Sequence, residues 1–195
     1  MKAILVVLFW SLSICGFSQF SSKVWHHGWL VVKKGDTLEG QIKYNMEVET
    51  IQFLKSDKIR AFSPKKVTYF RIFDNITENF RQFYTIPYAL RGNYKTPTIF
   101  ELLYEGKLSF LRREAIVQET VSSIYSQPIV TTKVKYTFYF VDDKGYIQYF
   151  SGRKSDLFSI MGKNRSELKD YIKSNKLKVN KVQDLITITA FYNSI

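Results

Sequence analysis

Apolar and polar residues alternate along most of the chain before residue 150, which predicts a series of antiparallel β-hairpins. The clearest covers residues 28–44, GWLVVKKGDTLEGQIKY, where Gly35-Asp36 fits a two-residue type II′ turn. In the register of that turn, Trp29 lies opposite Ile42. One face of the hairpin is then predicted to gather four apolar side chains, namely Trp29, Val31, Leu38 and Ile42.

The same alternation predicts strands as far as residue 150. They are Thr50 to Leu54, Lys58 to Phe62, Val67 to Phe73, Phe80 to Ile86, both arms of a hairpin over residues 98–113, Val134 to Asp142, and Tyr146 to Phe150. Residues 114–133 show no clear period, so we expect a long connection there, either a mobile loop or a short strand pair. This number of short strands favours a curled sheet or a small barrel.

Glu101 is the only charged residue in an otherwise apolar strand. With Gly106-Lys107 as the turn, it lies directly opposite Arg112, which predicts a structural cross-strand ion pair. The alternative is that Glu101 acts as an acid or base.

The period changes to that of helices after residue 151. Residues 154–161 predict one short helix, and Asn164 with Glu167 and Asn180 with Gln183 have the spacing of capping boxes for two more. Strands followed by helices predict an α+β fold, with two or three C-terminal helices packed on the hairpins.

The N-terminal residues have the pattern of a secretory signal peptide. Lys2 precedes a twelve-residue apolar run, Ala3 to Ile14, which is too short to span a bilayer. Cleavage after Ser18 satisfies the small-residue rule and would remove Cys15, the only cysteine. The alternative is a lipoprotein signal with a lipid on Cys15, although Ile14 rather than a small residue precedes it.

Removal of the predicted signal peptide, residues 1–18, leaves residues 19–195 as one predicted β-rich domain. Residues 19–150 are its hairpins and residues 151–195 its helical tail. The formal net charge falls only from +12 to +11, because Lys2 is the one charge lost. A basic protein in the periplasm, at the outer envelope or secreted meets anionic lipid, lipopolysaccharide or cell-wall polymers rather than nucleic acid.

Two surfaces are candidate binding sites. The first is a loop between two prolines that carries two aromatic and two cationic side chains, suited to stacking on a sugar or holding an anion: Tyr88, Arg91, Tyr94 and Lys95. The second is a helix face for an anionic surface, predicted to lie opposite the apolar stripe of its helix: Lys169, Lys173 and Lys176.

Catalytic, cofactor and metal signatures are missing from the sequence. No nucleophile elbow, zinc-binding motif, phosphate-binding loop or dinucleotide fingerprint occurs. His26 and His27, the only histidines, are adjacent, so on a strand they point to opposite faces, and we expect them in a frayed terminus. We therefore predict no catalytic residues, no cofactor and no metal.

Three segments together resemble a family of uncharacterised exported proteins common in Bacteroidota. These are the residue 28–44 hairpin with its Lys34-Gly35-Asp36-Thr37 turn, the strand Phe100 to Gly106, and Leu168 to Ile172. The resemblance implies a β-rich envelope or secreted protein with a helical tail. It implies no activity and no functional residues, because none is established for that family.

The sequence thus favours a noncatalytic exported protein that binds an anionic or carbohydrate partner. The alternatives are a carrier of a small apolar ligand inside a β-barrel and, third, a hydrolase built on two carboxylates brought together by folding.

Mass spectrometry of the protein purified from its native host tests the signal peptide. We expect a mature chain that begins at Gln19 and contains no cysteine. A chain that retains Met1, or a fatty acid on Cys15, would contradict this prediction.

Overall fold

The computed structural model describes residues 24–123, 126–162 and 164–195, so the predicted signal peptide and Cys15 lie outside the described residues. The described part contains ten strands and three α-helices. The strands are β1 (His26–Val32), β2 (Thr37–Asn45), β3 (Thr50–Lys55), β4 (Lys58–Phe62), β5 (Val67–Asp74), β6 (Asn79–Tyr88), β7 (Thr96–Tyr104), β8 (Leu108–Ser123), β9 (Ser126–Asp142) and β10 (Ile147–Phe150). The helices are α1 (Lys154–Ile160), α2 (Arg165–Ser174) and α3 (Val182–Ser194).

All ten strands belong to one antiparallel sheet, in the order β10-β9-β8-β7-β6-β5-β1-β2-β3-β4. Each strand lies beside its neighbour in sequence except where the chain leaves β4 through a 3₁₀ turn, Pro64–Lys66, and returns to pair β5 with β1. The sheet is curled but not closed, and β4 and β10 are its edges. This is the predicted α+β fold, an antiparallel sheet followed by helices.

The first hairpin has a different turn and register from the prediction. The Gly35 N–H bonds to the Val32 carbonyl at 2.8 Å, and Gly35 adopts a φ of +92°, which glycine tolerates because it has no Cβ. Leu30 therefore pairs with Leu38, a shift of three residues. An odd shift exchanges the two faces of a strand, so Leu30 enters the core and Trp29 points to the other side of the sheet.

Residues 114–123 and 126–133 form a strand pair, the second of the two predicted alternatives, but the pair is long and is the outer part of one hairpin. Strands β8 and β9 pair continuously from Leu108 opposite Asp142 to Val121 opposite Ile129. The β-branched Val and Thr residues that obscured any period are good strand formers. Ile116 and Val134, on facing strands of this hairpin, pack against the core built on β1, β2 and β3.

One face of the sheet carries two hydrophobic cores. The first lies over β1, β2, β3, β5 and β6 and includes Phe70 stacked on Phe83, with ring centroids 4.6 Å apart. The second lies between β7 to β10 and the helices, where Phe110 and Phe140 meet buried Leu157 of α1. The helices are thus held to the sheet mainly by packing. Within the described residues no N-cap side chain of the three helices forms a capping hydrogen bond, including the predicted Asn164, and the N-cap of α3 is Lys181 rather than the predicted Asn180.

Asn193 fixes α3 to the start of β8. Its side-chain amide accepts a hydrogen bond from the Leu108 N–H and donates one to the Leu108 carbonyl, each at 2.9 Å. The amide thus takes the place that the backbone of a neighbouring strand would occupy. A Cβ on Gly106 would lie 2.7 Å from this amide, so only glycine leaves room for it.

Replacement of Asn193 by alanine tests this contact. Asn193→Ala leaves a half-buried peptide group unpaired, so we expect the free energy of unfolding to fall by about 2 kcal/mol in urea titrations. The control Gln183→Ala, at an exposed position of the same helix, should change it by less than about 0.5 kcal/mol. Equal effects of the two substitutions would contradict a specific role for Asn193.

Candidate functional site: a basic groove between two helices

A groove of about 350 Å³ lies between α1 and α2 and collects the lysines predicted to bind an anionic surface. Lys169, Lys173 and Lys176 line it, together with Lys154 from α1. Phe158, Ile172 and Leu177 form its apolar floor. The three predicted lysines therefore flank the apolar stripe of α2, and their predicted position opposite that stripe is wrong.

The floor of the groove is built by the packing of the two helices. Phe158 and Ile172 are buried against the second core, with one edge facing the groove. The Lys169 ammonium lies 5.7 Å from the centroid of the Phe158 ring, and the Arg165 guanidinium lies 5.5 Å from it. These cation–π contacts hold positive charge over an apolar surface.

The four lysines of the groove have no acidic partner among the described residues. All four are exposed. Lys169 and Lys173 are four residues apart on one helix, where like charges repel each other. An anion placed between them would relieve that repulsion.

The predicted loop site is not assembled in the same way. Tyr88 belongs to β6, and its ring packs edge-on against Phe100 and Tyr139, with centroids 5.7 and 5.2 Å away. Arg91, Tyr94 and Lys95 are exposed in the turn that follows, and Tyr94 is 80% exposed. These four residues therefore do not enclose a common space, and a binding role for them stays a prediction.

The predicted pair of Glu101 and Arg112 exists, and it is part of a larger buried cluster. Arg81 donates to both oxygens of Glu101, each at 2.8 Å, and to Glu114 Oε1 at 2.7 Å. Arg112 donates from Nε to Glu101 Oε2 at 2.8 Å. The side chains of Arg81, Glu101 and Glu114 are only 8, 5 and 3% exposed.

The two glutamates of this cluster differ in how well they are stabilised. Both oxygens of Glu101 accept hydrogen bonds, whereas Glu114 Oε2 is buried and has no partner among the described residues. Burial raises the pKa of Glu114 above the ordinary value of 4.5; Arg81 opposes that shift and the charge of Glu101 adds to it. The cluster is neutral overall, because two arginines balance two glutamates, and a structural role for it stays a prediction.

The histidines are ordered in the first strand, so their prediction as a frayed terminus is wrong. His26 is buried, and its Nδ1 lies 3.1 Å from the carbonyl of Phe73. His27 points to the other face, with its ring against Trp29 at 5.3 Å. In the described ranges no group of three or more His, Cys, Asp or Glu side chains is arranged to hold a metal ion.

The chain was compared with known proteins at the level of families, of curated sequences and of solved structures. No protein family, no curated protein and no solved structure matches it. Among the helices of the described residues, none combines the length and apolar character needed to cross a membrane.

Denaturation at several pH values tests the buried cluster. Glu101→Gln removes the charge shared by both arginines, so we expect the free energy of unfolding to fall by about 3 kcal/mol or more. Glu114→Gln should cost less at neutral pH. Because the raised pKa means that the folded state holds this proton more tightly, the wild-type chain should lose stability relative to Glu114→Gln as the pH rises above 4.5.

The control for these variants is Glu119→Gln, which removes a half-exposed carboxylate that pairs with Lys133 on the same long hairpin. It should change stability by less than about 1 kcal/mol. A Glu101→Gln effect no larger than that of Glu119→Gln would contradict the structural role of the cluster.

Proposed function

We propose that the protein is a noncatalytic, exported envelope or secreted protein that binds anionic amphiphiles through the groove between α1 and α2. The observation that carries this proposal is the set of four lysine side chains, without acidic partners in the described part of the chain, around an apolar floor. A net positive charge also favours association with acidic membrane surfaces.

The apolar floor favours a ligand with two kinds of surface. Phe158, Ile172 and Leu177 offer nothing to a fully hydrated polyanion, but they can contact acyl or glycan carbon next to an acidic group. Lysines on a flexible stem act as point charges, which suits a phosphate or carboxylate group of variable position. An anionic lipid or lipopolysaccharide has both features, and its acyl chains offer the floor more apolar surface than the polar backbone of a cell-wall polymer does.

Binding to phospholipid vesicles tests the proposal. We expect the chain from Gln19 to Ile195 to bind vesicles that contain anionic phospholipid, and to bind purely zwitterionic vesicles far more weakly. Lys169→Glu with Lys173→Glu reverses two charges of the groove, so the affinity for anionic vesicles should fall at least about tenfold. Binding should also weaken as the salt concentration rises.

A matched control separates the groove from net charge. Lys65→Glu with Lys66→Glu changes the total charge by the same amount on the exposed 3₁₀ turn before β5, and its affinity should stay within about threefold of wild type. Equal losses in the two double variants would show that binding depends on net charge alone. Absence of binding at low salt would overturn the proposal.

A further inference from the structure

Strand β4 is an open edge of the sheet, and its geometry leaves backbone groups free. The turn between β3 and β4 contains two residues, Ser56 and Asp57, with φ values of +50° and +59°. Such a turn makes Lys55 and Lys58 a hydrogen-bonded pair. Because hydrogen-bonded and non-bonded pairs alternate along antiparallel strands, Ile59 and Ala61 direct both their N–H and C=O groups away from β3.

These outward groups are accessible. Every residue of β4 is exposed except Phe62, which is half-buried, and the Ile59 side chain is 61% exposed. The other edge of the sheet differs, since β10 has only four residues and ends in Phe150, which packs against the helices. Alternate residues of both edges direct their backbone groups outward, but the helices lie against the end of β10, so an added strand has more room at β4.

The charges along β4 indicate which kind of strand fits. Three cations line the edge at β4 and form no ion pair within the described residues: Lys55, Lys58 and Arg60. The turn between Lys55 and Lys58 carries one acid, Asp57. A second copy of β4 would bring like charges together across the pair, which is unfavourable. An extended segment with acidic side chains at alternate positions would place them beside Lys58 and Arg60.

We infer that β4 is a strand-addition site for an extended acidic segment of a partner protein. The segment continues the sheet through hydrogen bonds to the backbone of Ile59 and Ala61. Its acidic side chains lie on the face of Lys58 and Arg60, and its intervening apolar side chains lie beside Ile59. This site is independent of the groove, which lies among the helices near the opposite edge of the sheet.

The test uses a synthetic peptide of about five residues that alternates Glu and Val, and the same peptide with N-methylated valines. N-methylation removes the backbone donors but keeps every charge. We expect the first peptide to bind the chain from Gln19 to Ile195 and to shift the amide NMR signals of Ile59 and Ala61. The N-methylated peptide should bind at least about tenfold more weakly.

Two variants of the protein complete the test. Ala61→Pro removes one outward N–H at an edge position that tolerates proline, and it should weaken binding of the first peptide about tenfold. Ala61→Val keeps the N–H and should leave the affinity within about twofold of wild type. Lys169→Glu with Lys173→Glu, in the groove, should leave peptide binding within about twofold of wild type while it weakens binding to anionic vesicles at least about tenfold.

Two results would overturn the inference. Equal affinity for both peptides would mean that charge alone attracts them and that no strand is added. No shift at Ile59 or Ala61 up to about 1 mM peptide would mean that the cations of β4 serve only to keep the edge unpaired.

Discussion

The fold depends on four charges held together where water hardly reaches. Arg81, Glu101, Arg112 and Glu114 lie on the sheet face that also carries both hydrophobic cores, and they occupy the space between these cores. Each charge is expensive to bury alone, but the set is neutral and most of its polar atoms are hydrogen-bonded. The cluster thereby links β6, β7 and β8 and lets one face continue from the first core to the second.

The helices complete the second core, and the groove is a result of how they do so. Phe158 and Ile172 pack on the aromatic side chains of the sheet, and their outer edges form part of the floor of the groove between α1 and α2. The lysines on either side stay in solvent because their charges are costly to bury. The same apolar residues therefore hold the helices to the sheet and give the basic surface its amphiphilic character.

Local patterns predicted those elements whose signals are local. Alternation and turn length predict two paired strands, Thr50 to Leu54 and Lys58 to Phe62, and the opposition of Glu101 and Arg112. Glu101 and Arg112 pair as predicted although β7 is irregular near its turn. The loop is longer than predicted, and the register shift between Leu102 and Tyr104 compensates for the difference. The predicted register of the first hairpin was wrong because glycine at position 35 fits more than one type of turn.

The remaining parts of the candidate sites depend on contacts that no local pattern contains. Arg81 belongs to a strand outside the predicted hairpin, and Glu114 lies one residue beyond its predicted end, where a segment with no recognisable period begins. Lys154 reaches the groove from a different helix than Lys169. The order of the strands and the packing of the helices bring these residues together. A single sequence therefore shows which residue types are present but not which of them are in contact.

The order of the strands also sets the distance between the two edges of the sheet. Edge strand β4 and edge strand β10 are separated by the full width of a ten-stranded sheet, in which adjacent strands lie about 4.8 Å apart, an upper limit of roughly 43 Å before the curl shortens it. A sheet that is hydrogen-bonded along its whole width resists stretching. A partner bound at one edge would therefore stay at a nearly constant distance from a partner bound at the other.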